Sequence, residues 1–157
     1  MSTGAIVVGV DGTTAGVRAL SWAMDEAVLR GAPLHVVNVW NYEPLADWAM
    51  TSEQEARGRS EATVENALRT VAVGRTQFPQ IFRMCVRGSA AEALEEQARG
   101  AALLVVAAHT GGGLRRVVLG STTAHCVRHS SAPVVVLPPP GESERRAVGV
   151  ESGEGVR

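Results

Sequence analysis

The sequence predicts a single α/β domain: five short strands forming a parallel sheet, with helices on both faces. Three observations carry this. Short runs rich in β-branched residues recur along the 157-residue chain, as in AIVVGV at 5–10, LHVVNVW at 34–40 and PVVVL at 133–137. Segments with apolar residues at helical spacing separate them, so each strand reaches the next through a crossover, and such crossovers are right-handed. The run 102–108, ALLVVAA, is apolar without alternation, as a strand buried on both faces must be.

The first strand ends at Asp11-Gly12, a turn signal. In the following helix Val17, Leu20, Met24, Ala27 and Val28 share a face, and Gly31 and Pro33 stop it through a C-cap and a break. After the second strand, 41–50 reads as a loop containing Pro44, and a polar helix over about 52–72 buries Val64, Ala67, Leu68 and Val71. The third strand, IFRMCV at 81–86, alternates more than the others and is expected near a sheet edge. Ser89-Ala90-Ala91-Glu92 fits a capping box, in which serine accepts from the N3 amide and glutamate reaches back to the cap. The helix it opens ends at Arg99-Gly100; the central fourth strand follows, then a helix over about 121–129, and the fifth strand is 133–137. Residues 1–137 form the domain. Residues 138–157 lack periodicity, are rich in Pro, Gly and charge, and are expected to be a disordered tail.

Composition narrows the function classes. Hydrophobic content is 45% but aromatics only 4%, so the core is built from Val, Leu and Ala. A net charge of −1 provides no electrostatic drive toward nucleic acid or an anionic membrane. The first residues show no basic region followed by an apolar run and a small-residue cleavage site, so a secretion signal is not expected, and no apolar segment reaches the length of about 18 residues that a membrane span requires. The expectation is a cytoplasmic protein. Cys85 and Cys126 lack CxxC spacing and read as reduced, buried side chains. His125 and His129 stand at i, i+4 on a helix, but no HExxH pattern accompanies them. No metal ligands are assigned.

The stretch 103–122, LLVVAAHTGGGLRRVVLGST, carries the chemistry. A buried strand breaks into Gly111, Gly112 and Gly113; Gly120, Ser121 and Thr122 then open a helix. Glycines allow close backbone approach to a ligand, and a helix N-terminus attracts anions. A phosphate-bearing ligand is one reading, and a connection that merely turns the chain is the other. In doubly wound sheets ligands sit beyond the carboxyl ends of the strands, where Asp11, Val39 and 107–113 all fall.

These residues resemble a known family. VVGVDGTTAGVRALSWAMDEAVLRGAPLHVVNVW is similar to the opening half of a universal stress protein domain, and LLVVAAHTGGGLRRVVLGSTTAHCVRHSSAPVVVL to its closing half. The resemblance covers about residues 4–137, with 41–80 matching in pattern only. It implies an adenine-nucleotide alpha hydrolase-like fold of strand order 3-2-1-4-5, and a homodimer in which the fifth strand pairs antiparallel with its copy.

Many members of the family bind ATP through Gly-x2-Gly-x9-Gly-Ser/Thr after the fourth strand. Ala107 and Thr110 stand where the first two glycines would be, while Gly120 and Ser121 match the third position and its hydroxyl. Asp11 matches the acidic residue near the nucleotide, and Val39 the position whose backbone lies near adenine. Each also has a purely structural reading: Asp11 as a turn former capping the helix at Thr13 or Thr14, Val39 as core, and Ser121 and Thr122 as caps. Thr110 is β-branched and strained at positive φ, so either the loop differs here or Gly111 takes over the special dihedral. Arg115 and Arg116 read as a compensating cation or a solvated pair, and His109 as an exposed loop histidine.

The expected function is that of a stress-response regulator linked to adenine nucleotides, binding ATP with Mg²⁺ weakly or conditionally and acting through dimer or protein contacts. The alternative is a dimeric interaction module of the same fold whose ATP motif has degenerated. An enzyme, at most a slow ATPase, has little support: the chain has no GxxxxGK[ST] loop and no cluster of general acid and base.

Overall fold

Four consecutive residues, Ile6–Gly9, form β1, the strand around which the sheet is assembled. The structure is a computed structural model that describes residues 4–43, 52–110 and 117–140. Strand β2 spans Leu34–Trp40, β3 Ile81–Arg87, β4 Leu103–Ala107 and β7 Val134–Leu137. Two shorter strands, β5 (His109–Thr110) and β6 (Val117–Val118), lie between β4 and β7. The main sheet has the order β3-β2-β1-β4-β7 with every pairing parallel. With the short pair set aside, this is the expected order 3-2-1-4-5.

Side chains alternate across each strand, and that alternation divides the core in two. Ile6 and Val8 of β1 join Val36, Val105 and the buried faces of two helices, α1 (Thr14–Arg30) and α2 (Glu53–Ala72). Val7 points the other way, with Val37, Leu104 and Val106, toward α3 (Ala90–Gln97) and α4 (Ser121–His129). Helices thus cover both faces. Helix α1 turns Ala19, Leu20, Ala23, Met24 and Ala27 inward, and Gly31 ends it in the left-handed region at φ 61°. On α2 the buried residues are Val64, Ala67, Leu68 and Val71, as the sequence pattern requires, together with Ser60. Arg75 clamps the two helices together: Nε donates to Val71 O at 2.9 Å, a terminal nitrogen donates to Ser21 Oγ at 2.7 Å, and the other pairs with Asp25.

Strand β3 lies on one edge, as its alternation implies, and β7 on the other; β4 is central and buried. Both cysteines are free. Cys126 is fully buried, and burial pushes its thiol pKa up; Cys85 is half-buried. The capping box forms at a different helix from the one expected. Ser89 makes no side-chain cap bond. At Ser52 both halves exist, Oγ accepting from Glu55 N at 3.1 Å and Glu55 accepting from Ser52 N at 2.8 Å. Both stretches fit the S-x-x-E pattern, so spacing alone did not distinguish them.

Candidate functional site

The carboxyl ends of β1, β2 and β4 open into a cleft of ≈ 300 Å³, closed on one side by the start of α4. Of the residues singled out from sequence, it brings together Asp11, Val39, Ala107, Gly120, Ser121 and Thr122. Thr110 lies in β5 rather than in the cleft lining, and Gly111, Gly112, Gly113, Arg115 and Arg116 lie outside the described residues.

Asp11 follows β1. Its Oδ1 accepts from the Thr13 amide at 3.0 Å and from the Thr13 hydroxyl at 2.5 Å. Thr13 in turn caps α1, its hydroxyl accepting from Gly16 N at 3.2 Å. This arrangement depends on glycine at 16, because a Cβ there would stand 2.8 Å from Asp11 Oδ1. The second carboxylate oxygen faces His109, whose Nε2 is 3.8 Å away. Asp11 thus braces the turn, while the helix cap itself is Thr13 and not Asp11.

At α4, Ser121 and Thr122 do not cap the helix either; they are its first two residues, and the cap is Gly120 at φ 28°, ψ 161°, with no side-chain cap bond. This corrects the structural reading of both hydroxyl residues. The first-turn amides of α4 and the positive end of its dipole are left facing the cleft, the arrangement that favours an anion. Nothing lies within 4 Å of a Cβ built on Gly120, so only its positive φ demands glycine. The hydroxyl with a structural task is Thr123, which donates to Ala107 O at 3.1 Å and ties the end of β4 to α4.

The cleft lining also includes the apolar side chains Val37, Val39, Leu94 and Val106. Two contributors escaped the sequence reading. Gly9 lets Leu94 pack against β1, since a Cβ on it would lie 3.1 Å from Leu94 Cδ1. Asn38 is buried in the wall, donating to Val10 O at 2.7 Å and accepting from Ser60 Oγ at 2.6 Å. Its signal in the sequence was one amide inside the otherwise apolar end of β2, Val36 to Trp40.

Thr110 is the main departure from the expected loop. His109 and Thr110 pair antiparallel with Val118 and Val117 in a second, two-stranded ladder. A β-branched residue suits that extended state. Gly111, the other candidate for the special dihedral, lies outside the described residues.

Away from the cleft, His125 Nε2 lies 2.8 Å from Glu95 Oε2, joining α4 to α3, and the His125 and His129 rings are 4.5 Å apart. Among the described residues no three His, Cys, Asp or Glu side chains converge as metal ligands, and no helix is long and apolar enough to cross a membrane.

A doubly wound parallel sheet of this order, with a cleft at the carboxyl ends of its strands, defines a class of α/β proteins. The chain belongs to the universal stress protein family, whose model matches residues 3–138. No curated protein matches it significantly. Among solved structures it is similar to the universal stress protein UspA from Lactobacillus plantarum, at 26% identity and TM-score 0.68 over 87% of this chain and 99% of that one. A universal stress protein in complex with cAMP matches at 24% identity and TM-score 0.66, over 87% and 98% of the two chains. One from Archaeoglobus fulgidus in complex with dAMP matches at 20% identity and TM-score 0.60, also over 87% and 98%.

Proposed function

We propose that this protein is an adenine-nucleotide-linked regulator of the universal stress protein family, acting through binding rather than catalysis. The observation that carries the reading is the start of α4 at Gly120-Ser121-Thr122, without a side-chain cap, in one cleft lining with Val37, Val39 and Leu94. An adenine ring would sit among Val37, Val39 and Leu94, and a phosphate would receive amide and hydroxyl hydrogen bonds from Ser121 and Thr122. Asp11 Oδ2 is the carboxylate oxygen left to meet a ribose or a Mg²⁺ ion. Two of the similar structures hold cAMP and dAMP, which supports adenine as the base. ATP with Mg²⁺ belongs to the same ligand class, bound weakly in this reading. Among the described residues lining the cleft, the titratable side chains are Asp11 and His109.

The regulatory output would pass through a homodimer formed at the free edge of β7, or through a protein partner, in a soluble cytoplasmic setting. Ala107 and Thr110 favour a second reading, a dimeric interaction module with no nucleotide. Calorimetry with adenine nucleotides decides between them. Binding that is abolished by Gly120→Val, with the fold intact by circular dichroism, supports the regulator. No heat and no thermal shift at millimolar nucleotide supports the module.

A further inference from the structure

We infer that the outer edge of β3 docks an extended peptide segment of another protein, which adds to the main sheet as a further strand and carries an acidic residue opposite Arg83. This goes beyond the nucleotide reading and does not depend on it. Among the described residues β3 pairs with β2 alone. The two end bonds of that ladder set its phase: Leu34 N donates to Gln80 O at 2.8 Å, and Gly88 N to Trp40 O at 2.9 Å. Even-numbered residues from Gln80 to Gly88 therefore turn their backbone groups toward β2, and Ile81, Arg83, Cys85 and Arg87 turn theirs outward. The Arg83 side chain is 55% exposed and Phe82 44%, so solvent reaches this edge at mid-strand. A row of outward N–H and C=O groups selects a strand as its occupant, because an extended backbone matches their spacing.

Side chains narrow the sequence of that strand. Arg83 reaches Glu65 of α2, and Arg87 reaches Glu53, so the outward-bonding residues of β3 place their side chains on the α2 face. A cavity of ≈ 780 Å³ lies there between strand and helix, with Arg57, Glu61, Ala62, Glu65, Arg83 and Cys85 in its lining. Every second side chain of an added strand points toward it. Among the described residues four guanidiniums share three carboxylates at this edge. Arg57 has Glu61 and Arg87 has Glu53, but Glu65 serves both Arg83 at 3.2 Å and Arg69 at 3.6 Å. The surplus charge is positive and falls at Arg83, so its complement is Asp or Glu. Opposite Cys85, half-buried in the cavity wall, an apolar side chain fits. On the other sheet face Phe82, Met84 and Val86 call for apolar residues at the alternate positions. A second copy of β3 would bring its own Arg83 and Arg87 to the same edge, and like charges across a ladder repel.

The test is fluorescence anisotropy of the full chain with a labelled peptide, Thr-Glu-Val-Leu-Val-Glu-Thr, acetylated and amidated at its ends. Its symmetric sequence fits in either strand direction, and a counterpart with Lys in place of Glu is the control. The acidic peptide is expected to bind, and the Lys peptide to bind about fivefold more weakly or worse. Arg83→Glu, its fold checked by circular dichroism, is expected to reverse that order. N-methylation of one alternating set of peptide amides is expected to abolish binding to the wild-type protein, since one set faces the edge. Absence of binding by the acidic peptide at millimolar concentration overturns the inference. So does binding that tolerates methylation of either set, or an order unchanged in Arg83→Glu. A wild-type dimer that becomes a monomer in Arg83→Glu assigns the edge to a second copy and overturns the partner peptide as well.

Discussion

Ser60 of α2 and Asn38 of β2 share a 2.6 Å hydrogen bond, and through it helix and strand are locked beside the cleft. The Asn38 amide passes the connection to Val10 O at 2.7 Å, so the ends of two neighbouring strands and one helix meet at a single side chain. Both polar residues are buried, Ser60 at 3% and Asn38 at 9% exposure, and each satisfies the other.

Ser60→Ala leaves the Asn38 oxygen without its partner in a site water hardly reaches. The cost of a stranded buried acceptor is about 1–3 kcal/mol. Urea denaturation is expected to show a loss of that size at unchanged m-value. Because the two residues form one network, Ser60→Ala combined with Asn38→Ala should cost less than the sum of the single changes. Simple additivity would show that they do not act together.

The Asp11–Gly16 approach separates stability from binding. In Gly16→Ala the new methyl group must displace the Asp11 carboxylate, 2.8 Å from where Cβ would lie. Alanine is the better helix former by about 1 kcal/mol, which offsets part of the lost contact. The melting temperature should therefore move little while nucleotide affinity falls. Thr13→Ala provides the contrast: removing the α1 cap costs about 0.5–2 kcal/mol. Unchanged affinity in Gly16→Ala would remove Asp11 from the binding site.

The Glu95–His125 pair predicts an acid limb in stability. The His125 hydrogen bond holds the Glu95 carboxyl below its ordinary range; burial opposes this, and the charges of His125, His129 and Arg99 add to the lowering. Because the folded-state value lies below the unfolded one, the contribution is complete above the unfolded pKa of about 4.3 and disappears as pH falls through the folded value. Urea midpoints of wild type and Glu95→Gln should differ at about pH 5.5 and converge toward about pH 3. A gap that stays constant over that range contradicts a lowered carboxyl.

The β7 edge predicts the assembly. Among the described residues Val134–Leu137 pairs with β4 alone, and an apolar strand with a free edge invites a further strand. Light scattering at low micromolar protein is expected to give twice the chain mass of 16.5 kDa. A monomer at that concentration would count against the β7 dimer.

The architecture was legible because hydrophobic period and strand–helix alternation are local properties. Val7 and Val8 are adjacent in sequence yet face different helix pairs, and the unbroken apolar run already required two covered faces. The glycines and prolines that end α1, and the alternation that sends β3 to an edge, were equally local. The site was legible in part. Asp11, Val39, Ala107, Gly120, Ser121 and Thr122 converge because every strand of a parallel sheet ends on the same side.

What each of those residues does was decided by tertiary structure. Ser121 and Thr122 look like caps in sequence, but Gly120 takes the cap position and frees them. Ser89 and Ser52 present the same spacing to their glutamates, and only Ser52 closes the box. Thr110 pairs with Val117 seven residues later, and Asn38 meets Ser60 across twenty-two. The sequence alone determined the five strands of the main sheet and the helices between them, their family and which ends of the strands carry the cleft; the short β5–β6 pair it did not show. The roles of single side chains there depend on directional bonds between residues distant along the chain, and only folding brings those atoms within reach.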